Sequence, residues 1–321
     1  MQPILGFVVP CYNEQEVLDD TITQLSELLA SLCLKNMISL ESKILLVDDG
    51  SKDSTWSIIE SYALIKKHVC GIKLSGNVGH QNALIAGLTV AVKCCDIIIS
   101  IDADLQDDIN VVEQMIEKYK AGNDIVYGVR ESRSTDTFFK RQSALMFYKL
   151  MNALGAKTIY NHADYRLMSK RAVEKLLSYP ERNMFIRGIV PLIGFKTDTV
   201  AYDRKPRMAG DSKYPLKKML SFAVDGITSF SIRPIRLIFT AGIIMLVITI
   251  SVLIYTLIAY FAGKTIQGWT SLMLSLWFIG SLMLIALGII GEYIGKIYVE
   301  VKSRPRFFIE KTIIDSTVKH Q

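Results

Sequence analysis

Short apolar segments recur along the first 130 residues, and each is followed by polar residues. They are rich in Ile, Val and Leu, a composition typical of strands that are buried on both faces of a sheet. The predicted strands are Ile4–Pro10, Lys43–Asp49, Gly71–Ser75, Asp96–Asp102 and Asp124–Val129.

Helical periodicity fills the gaps between these strands. In Glu16–Leu32 the apolar residues recur at intervals of three and four, as they do on one face of an amphipathic helix. Similar patterns predict helices over Ser54–Lys66, Gly79–Lys93 and Asn110–Ala121. Strands that alternate with helices predict an α/β fold, with a Rossmann-like, mostly parallel sheet. Such sheets bind ligands beyond the carboxyl ends of their strands.

The chain changes character after Arg236. Leu237–Gly263 and Thr265–Gly291 carry no charged residue, and each exceeds the roughly 20 apolar residues that a helix needs to span a bilayer. We predict two transmembrane helices joined by a tight loop; a pair of buried core helices is the alternative. Lys and Arg residues flank the pair, so we expect the large N-terminal domain and both termini on the cytoplasmic side of the membrane. We expect no cleavable signal sequence.

These patterns divide the chain into four segments. Residues 1–211 are predicted to form a cytoplasmic α/β domain, 212–232 an amphipathic juxtamembrane helix, 233–299 the transmembrane hairpin and 300–321 a cytoplasmic tail. Apolar faces beside basic residues favour membrane-surface contact for Tyr214–Phe230. For Phe138–Leu154, contact with the membrane and packing on the α/β domain stay open.

The net charge of the chain indicates which kind of binding partner is favoured. The chain has 37 Lys and Arg against 31 Asp and Glu, a formal net charge of +6. The basic residues crowd toward the apolar segments, which favours anionic lipid over nucleic acid as a partner. The five cysteines show no metal-ligand spacing and no CxxC pair, as expected for free thiols in the cytoplasm.

Two carboxylates, those of Asp102 and Asp104, follow the fourth predicted strand. With Gln106 as a third oxygen donor they would form a site for Mg²⁺ or Mn²⁺, which leaves coordination positions open for substrate phosphates. A polar loop that caps the next helix is the alternative. Asp107 and Asp108 are interpreted as residues at the start of that helix.

A second acidic pair, Asp48 and Asp49, opens a turn of sequence DDGS. Gly50 permits a tight bend, and Ser51 or Asp53 could cap the following helix. One of the two carboxylates could accept hydrogen bonds from a base or a ribose. Tyr12 and Glu14, at the end of the first strand, could contact the same nucleoside.

Four motifs occur in one order at compatible spacing. They are VPCYNE at Val9–Glu14, VDDGS at Val47–Ser51, NVGHQ at Asn77–Gln81 and DADLQD at Asp102–Asp107. Together they resemble the family 2 glycosyltransferases of the GT-A fold. Within that family they are most similar to the dolichol-phosphate mannose synthase-like branch, and to its bacterial GtrB-type enzymes, which glycosylate undecaprenyl phosphate.

The resemblance implies a role for each matching residue. The nucleotide-sugar would be bound by Pro10, Tyr12, Glu14, Asp48, Asp49, His80, Asp102, Ala103 and Arg130. Asp102, Asp104 and Gln106 would hold the metal. Asp104 and Asp164 are the catalytic candidates, the latter in a DYRL segment that resembles the branch's DFRL element. Candidates for binding the acceptor phosphate are Arg141, Arg207, Ser212 and Lys213.

The implied reaction moves glucose or N-acetylglucosamine from a UDP-sugar to a polyprenyl phosphate, with inversion at the sugar. A phosphate acceptor is already anionic at neutral pH, so catalysis would rest on positioning and on stabilising the leaving group. Whether Asp164 acts as a base or positions a substrate stays open. The related enzymes suggest a homo-oligomer, with a tetramer among the options.

Three other functions are weaker interpretations. A processive polysaccharide synthase carries a Gln-x-x-Arg-Trp element, but Arg precedes none of Trp56, Trp269 and Trp277. A non-enzymatic membrane scaffold predicts damaged acidic motifs, and here they are intact. A Rossmann-type oxidoreductase needs a GxGxxG turn after a strand, which this sequence lacks.

Overall fold

The computed structural model describes residues 2–130, 162–181, 186–203, 268–315 and 317–320, with scattered residues between 235 and 262. The chain forms two compact units. The first unit comprises Met1–Tyr148, Lys157–Pro215 and Arg304–Gln321, and the second comprises Lys149–Ala156 and Leu216–Ser303.

The first unit contains a sheet and the helices that cover it. Its strands are β1 Leu5–Cys11, β2 Lys43–Asp48, β3 Val69–Leu74, β4 Ile97–Ser100, β5 Ile125–Arg130, β6 His162–Ser169, β7 Thr197–Tyr202, β8 Ile309–Ile314 and β9 Thr317–His320. Its helices are α1 Leu18–Leu34, α2 Thr55–Ile65, α3 His80–Ala91, α4 Val112–Lys120, α5 Lys170–Leu177 and α6 Ile186–Ile189. Every predicted strand and helix of the first 130 residues is confirmed, with its ends shifted by no more than two residues.

The strands lie in the order β7-β5-β6-β4-β1-β2-β3-β8-β9. The four central strands, β4, β1, β2 and β3, are parallel, so the predicted α/β fold with a parallel core is confirmed. Val8 of β1 lies opposite both Leu45 of β2 and Ser100 of β4. The carboxyl ends of these strands therefore meet at one edge, here called the carboxyl rim. Flanking strands add antiparallel pairs that the sequence pattern did not indicate.

The C-terminal residues of the chain return to the sheet. Strand β8 pairs antiparallel with β3, and its Ile313 is fully buried opposite Gly71. Ion pairs join Lys43 to Asp315 at 2.5 Å and Lys73 to Glu310 at 2.9 Å. The segment over 300–321, expected to be a tail with no assigned structure, thus contributes two strands to the sheet of the first unit.

The second unit contains a long helix, α7, over Trp269–Lys302. Its part Phe278–Lys302 has a mean hydropathy of 1.8 and no buried residue. Within the described parts of the chain it is the one helix long and apolar enough to cross a bilayer. In the first predicted span only scattered residues are described, among them residues 242–244, which are helical. The described residues therefore support one spanning helix, and the predicted count of two is not confirmed.

Candidate active site

Two loops at the carboxyl rim, after β1 and after β2, are joined by hydrogen bonds. The N–H of Asn13 donates to Ser51 Oγ at 3.0 Å, and the N–H of Lys52 donates to Asn13 Oδ1 at 2.9 Å. Asn13 has a φ of 53°, a left-handed conformation that asparagine tolerates better than most residues. These bonds fix Asn13, the residue between Tyr12 and Glu14, and Tyr12 stays 39% exposed at the rim.

The two acids of the DDGS turn are both buried, but their partners differ. Asp49 accepts the N–H of Val78 at 2.7 Å and the N–H of Gly79 at 3.0 Å, one on each carboxylate oxygen. Asp48 Oδ1 accepts the N–H of Ser51 at 3.2 Å, whereas its Oδ2 has no hydrogen-bond partner among the described residues. Burial raises the pKa of both carboxyls. Asp49 therefore fastens the loop before α3, whereas nucleoside binding by Asp48 stays a prediction.

Gly50 follows this pair in a left-handed conformation, with a φ of 67°. A Cβ at this position would lie 2.6 Å from the backbone nitrogen of Asn77 and 2.7 Å from the carbonyl carbon of Gly76. The turn after β2 thus lies directly against the loop after β3. The prediction that Gly50 permits a tight bend is confirmed, and the close contact with a second loop is a further reason for glycine at this position.

The acidic loop, defined as Asp102–Asp108, follows β4. The buried hydroxyl of Thr21 in α1 donates to the carbonyl oxygen of Ala103 at 2.6 Å. The side-chain amide of Gln106 donates to Asp104 Oδ2 at 2.7 Å. Leu105 has a φ of 41°, a strained conformation for a residue other than glycine. Gln106 therefore orients Asp104, and its role as a metal ligand stays a prediction.

A divalent cation fits this loop if the substrate completes its coordination. In the described part of the chain no group of three or more His, Cys, Asp or Glu side chains could hold a metal alone. Removal from water raises the pKa of Asp102, and the charges of Asp164, Asp107 and Asp104 raise it further against the opposing effect of His80. Such crowded carboxylates favour a bound cation. Mg²⁺ commonly uses one or two carboxylates together with substrate phosphates.

His80, the first residue of α3, faces this loop. Its Nε2 lies 3.6 Å from Asp102 Oδ1, and both side chains are part exposed. The hydrogen bond from Gly79 to Asp49 fixes the backbone just before it. The structure thus brings His80 together with the acidic loop, while donor contact by His80 stays a prediction.

Asp107 differs from its expected role at the start of a helix. It is only 4% exposed, accepts a hydrogen bond from the Tyr202 hydroxyl at 2.6 Å, and lies 3.6 Å from Arg130 Nη2. That interpretation was wrong for Asp107, because strand β7 supplies a buried partner that the local pattern does not contain. It is confirmed for Asp108, which accepts the N–H of Asn110 at 3.2 Å and caps the short 3₁₀ turn before α4.

Asp164, on β6, is held between two arginines. Arg187 approaches it with Nε at 3.1 Å from Oδ1 and Nη2 at 2.8 Å from Oδ2, and Arg166 Nη2 lies 2.7 Å from Oδ1. Burial alone would raise the pKa of Asp164, but the charges of Arg187 and Arg166 outweigh it and hold the pKa well below its usual range. Such a carboxylate is a poor proton acceptor near neutral pH.

Known proteins match the chain along most of its length. The family model for glycosyl transferase family 2 matches residues 7–177. The chain belongs to glycosyl transferase family 2. The uncharacterized glycosyltransferase YkoT of Bacillus subtilis (strain 168) is 56% identical over 309 residues, which cover 96% of this chain and 92% of that protein. The SfII prophage-derived bactoprenol glucosyl transferase of Shigella flexneri is 40% identical over 313 residues, which cover 96% of this chain and 98% of that protein.

One similar solved structure is the mannosyltransferase PcManGT from Pyrobaculum calidifontis in complex with GDP-Man and Mn²⁺. The match covers 94% of this family 2 glycosyltransferase and 86% of that chain, with 14% identity and a TM-score of 0.46. The predicted family is confirmed by the family model and the relatives. The bactoprenol glucosyl transferases among those relatives also confirm the resemblance to the GtrB-type branch.

Some predicted site residues of the family 2 glycosyltransferase lie outside the described residues. These are Arg141, Arg207, Ser212 and Lys213, together with both stretches expected at the membrane surface. Pro10 and Ala103 are described and buried, so their side chains offer little surface to a ligand. Arg166 and Arg187 were not predicted as site residues from the sequence. Arg166 stands inside the DYRL segment and could have been recognised, whereas none of the motifs contains Arg187.

Proposed function

We propose that this family 2 glycosyltransferase moves a sugar from a UDP-sugar to a polyprenyl phosphate, with undecaprenyl phosphate as the acceptor and glucose or N-acetylglucosamine as the sugar. The proposal is carried by Asp164, which two arginines hold ionised. A sugar hydroxyl needs a base to become a good nucleophile, and such a carboxylate is a poor one. An acceptor that is already anionic needs none. The names of the bactoprenol glucosyl transferases support the same acceptor class.

The nucleotide-sugar would lie along the carboxyl rim. Asp48 Oδ2, which is buried and has no partner among the described residues, would accept a hydrogen bond from the nucleoside, and the exposed Tyr12 ring would pack against it. Asp102 and Asp104 would hold Mg²⁺ or Mn²⁺ together with the diphosphate. When bound, the cation neutralises the charge that develops on the departing diphosphate.

The reaction is written as a single displacement. A phosphate oxygen of the acceptor forms a bond to the anomeric carbon while the bond from that carbon to the UDP oxygen breaks. UDP leaves with the electron pair, the configuration inverts, and no proton has to move. The protein would contribute positioning and charge stabilisation, which are the terms that catalysis of such a transfer requires.

We also propose that the chain crosses the membrane twice. Strands β1 to β7, which precede α7, and β8 and β9, which follow it, belong to one sheet, so these two groups of strands lie on the same side of any membrane that α7 spans. A chain with both ends on one side crosses an even number of times. If α7 is one crossing, another must lie within residues 204–268, and Leu237–Gly263 is the uncharged stretch there. Flanking Lys and Arg residues support a cytoplasmic catalytic domain.

The test is a lipid-product assay. Detergent-purified protein is mixed with undecaprenyl phosphate, Mg²⁺ or Mn²⁺, and a panel of labelled UDP- and GDP-sugars. Asp104→Ala removes a carboxylate of the acidic loop, and the control Asp198→Ala removes an exposed carboxylate that pairs with Lys118. We expect an organic-soluble labelled product from one donor, made by wild type and the control but lost with EDTA and in Asp104→Ala.

The opposite result is equally informative. If the protein binds a nucleotide-sugar but makes no lipid product from any donor, the acceptor is wrong. The processive polysaccharide synthase would then become the leading function.

A further inference from the structure

We propose that Arg187 contacts a phosphate oxygen of a substrate and that Asp164 is the residue that positions Arg187. This inference rests on the proposed function, because it assumes phosphorylated substrates at the carboxyl rim. It gives Asp164 a supporting role and assigns the contact with the substrate to an arginine that no motif indicated.

Exposure decides which member of the pair meets a ligand. The side chain of Arg187 is 41% exposed, whereas that of Asp164 is 17% exposed. Arg187 turns two of its three guanidinium nitrogens, Nε and Nη2, toward the Asp164 carboxylate. An anion that approaches the pair from solvent would meet the guanidinium first, with the carboxylate behind it.

The arginines around Asp164 also suit a phosphate. The guanidinium of Arg166 is fully buried and bonds to the same carboxylate at 2.7 Å. Arg166 therefore neutralises the Asp164 carboxylate from the buried side, and Arg187 is the exposed arginine of this group. Arginine is well suited to phosphate because its planar N–H donors match the phosphate oxygens. Arg130 is a further arginine of this region: it lies 3.6 Å from Asp107, and the charge of Arg187 opposes the rise of its pKa.

The backbone of α6 is tied to the part of the rim that carries the acidic loop. The N–H of Ile186, the residue before Arg187, donates to Gln81 Oε1 at 3.3 Å. Gln81 follows His80, whose Nε2 lies 3.6 Å from Asp102. Arg187 therefore belongs to the same cluster of side chains as the predicted metal site.

The experiment compares two Arg–Asp pairs of the same type. Arg187→Gln breaks the pair with Asp164. Arg171→Gln is the matched control, because Arg171 binds Asp124 through Nε and Nη2 in the same two-contact manner and is 67% exposed. For each variant we would measure kcat, the KM for donor and for undecaprenyl phosphate, the affinity for UDP with Mg²⁺ by calorimetry, and the apparent Tm.

We expect Arg187→Gln to raise one KM or lower kcat by about ten-fold or more, since charge-assisted phosphate contacts are strong. Arg187→Lys should recover part of the loss, because lysine keeps the positive charge but lacks the paired N–H donors of the guanidinium. Arg171→Gln should stay within about two-fold of wild type, because it leaves the site intact. Weaker UDP binding would assign the contact to the donor diphosphate. Unchanged UDP binding with a raised KM for undecaprenyl phosphate would assign it to the acceptor.

A double substitution tests the role of Asp164. If Asp164 acts through Arg187, then Asp164→Asn combined with Arg187→Gln should lose little more than either change alone. Losses that multiply would overturn the inference. Wild-type kinetics in Arg187→Gln, with only a lowered Tm as in Arg171→Gln, would also overturn it, because the pair would then be structural. A wild type that makes no lipid product would instead contradict the proposed function, and the UDP affinities would still test Arg187.

Discussion

The hydroxyl of Tyr202 donates a hydrogen bond of 2.6 Å to Asp107, although 95 residues separate them along the chain. Tyr202 is 3% exposed and Asp107 is 4% exposed. Burial, and then the charge of Asp107, raise the pKa of Tyr202, so the phenol stays protonated and remains a donor at physiological pH. Strand β7 thus holds the acidic loop at one end, while Thr21 of α1 holds it at Ala103.

Tyr202→Phe should destabilise the catalytic domain by about 1–3 kcal/mol, because a buried carboxylate loses its best donor. The apparent Tm should fall, and more metal should be needed for half-maximal activity because the loop loses one support. Tyr62→Phe, which removes a hydroxyl that interacts with Asp19, is the control. Equal effects of the two substitutions on the metal requirement would contradict the prediction.

Gly50→Ala should weaken both folding and UDP binding. A left-handed alanine costs about 1–2 kcal/mol, and the new Cβ would also displace the backbone at Gly76 and Asn77. Gly122 is a matched control, since it has a φ of 89° but a Cβ added there would meet no atom within 4 Å. Gly122→Ala should therefore show only the backbone cost and bind UDP normally. Similar losses in the two variants would mean that the contact between loops is unimportant.

The adjacent acids Asp48 and Asp49 should respond differently to substitution by asparagine. Asp49→Asn places an N–H donor against the N–H of Val78 or Gly79, so the apparent Tm should fall. Asp48→Asn can keep its bond to Ser51 and should be nearly as stable as wild type, but it should bind UDP more weakly. Thermal unfolding and calorimetry separate the two effects. A large loss of stability in Asp48→Asn would contradict the assignment of its Oδ2 atom to a ligand.

The pH dependence of the rate should not report Asp164. The pKa of its carboxyl is lowered in the folded state by Arg187 and Arg166. The stability that this ionised group contributes is therefore full above its unfolded pKa of about 3.9 and is lost only as the pH falls through the lower folded value. Between about pH 5 and pH 8, Asp164→Asn should lower kcat/KM by the same factor at every pH. Loss of an acidic limb from the wild-type profile would identify Asp164 as the base.

Truncation should show that the last strands belong to the catalytic domain. A chain that ends at Phe308 lacks β8 and exposes the edge of β3, and loss of the buried Ile313 alone is worth about 1.5–3 kcal/mol. A chain that ends at Asp315 keeps β8, and it also keeps the ion pair between Asp315 and Lys43. We expect low yield and a lowered Tm from the first and nearly wild-type behaviour from the second. Equal stability would make β8 dispensable.

The central strands and the acidic loop were predictable because their information is local. Apolar runs such as Ile97–Ser100 need no partner to be recognised, and parallel strands place their following residues at one rim. Asp102 and Asp104 can therefore be placed together with Asp48 from strand ends alone. The same reasoning could not separate Asp48 from Asp49, since the difference depends on which way each side chain turns.

The remaining features depend on contacts between distant residues. Strand β8 contains Glu310 and Lys311, which look like tail residues until their partners Lys73 and Glu60 are known. Asp107 follows a strand and precedes a helix, so only Tyr202 reveals that it is buried. Arg187 lies 23 residues after Asp164 in a segment without a strong periodic pattern. Sequence patterns show the periodicity of apolar residues and the order of motifs. Contacts between distant residues change neither of these, so they could not be predicted from the sequence.

The position of β8 in the sheet also fixes an order of events during synthesis. The partner of β3 is encoded after α7, so the ribosome makes the long apolar helix before it makes the strand that covers the β3 edge. Until residues 309–314 emerge, β3 offers unpaired backbone groups to any other extended chain. Because the nascent chain carries this open edge while α7 is being made, a pause in synthesis before residue 309 would lengthen the period during which the unfinished sheet can aggregate.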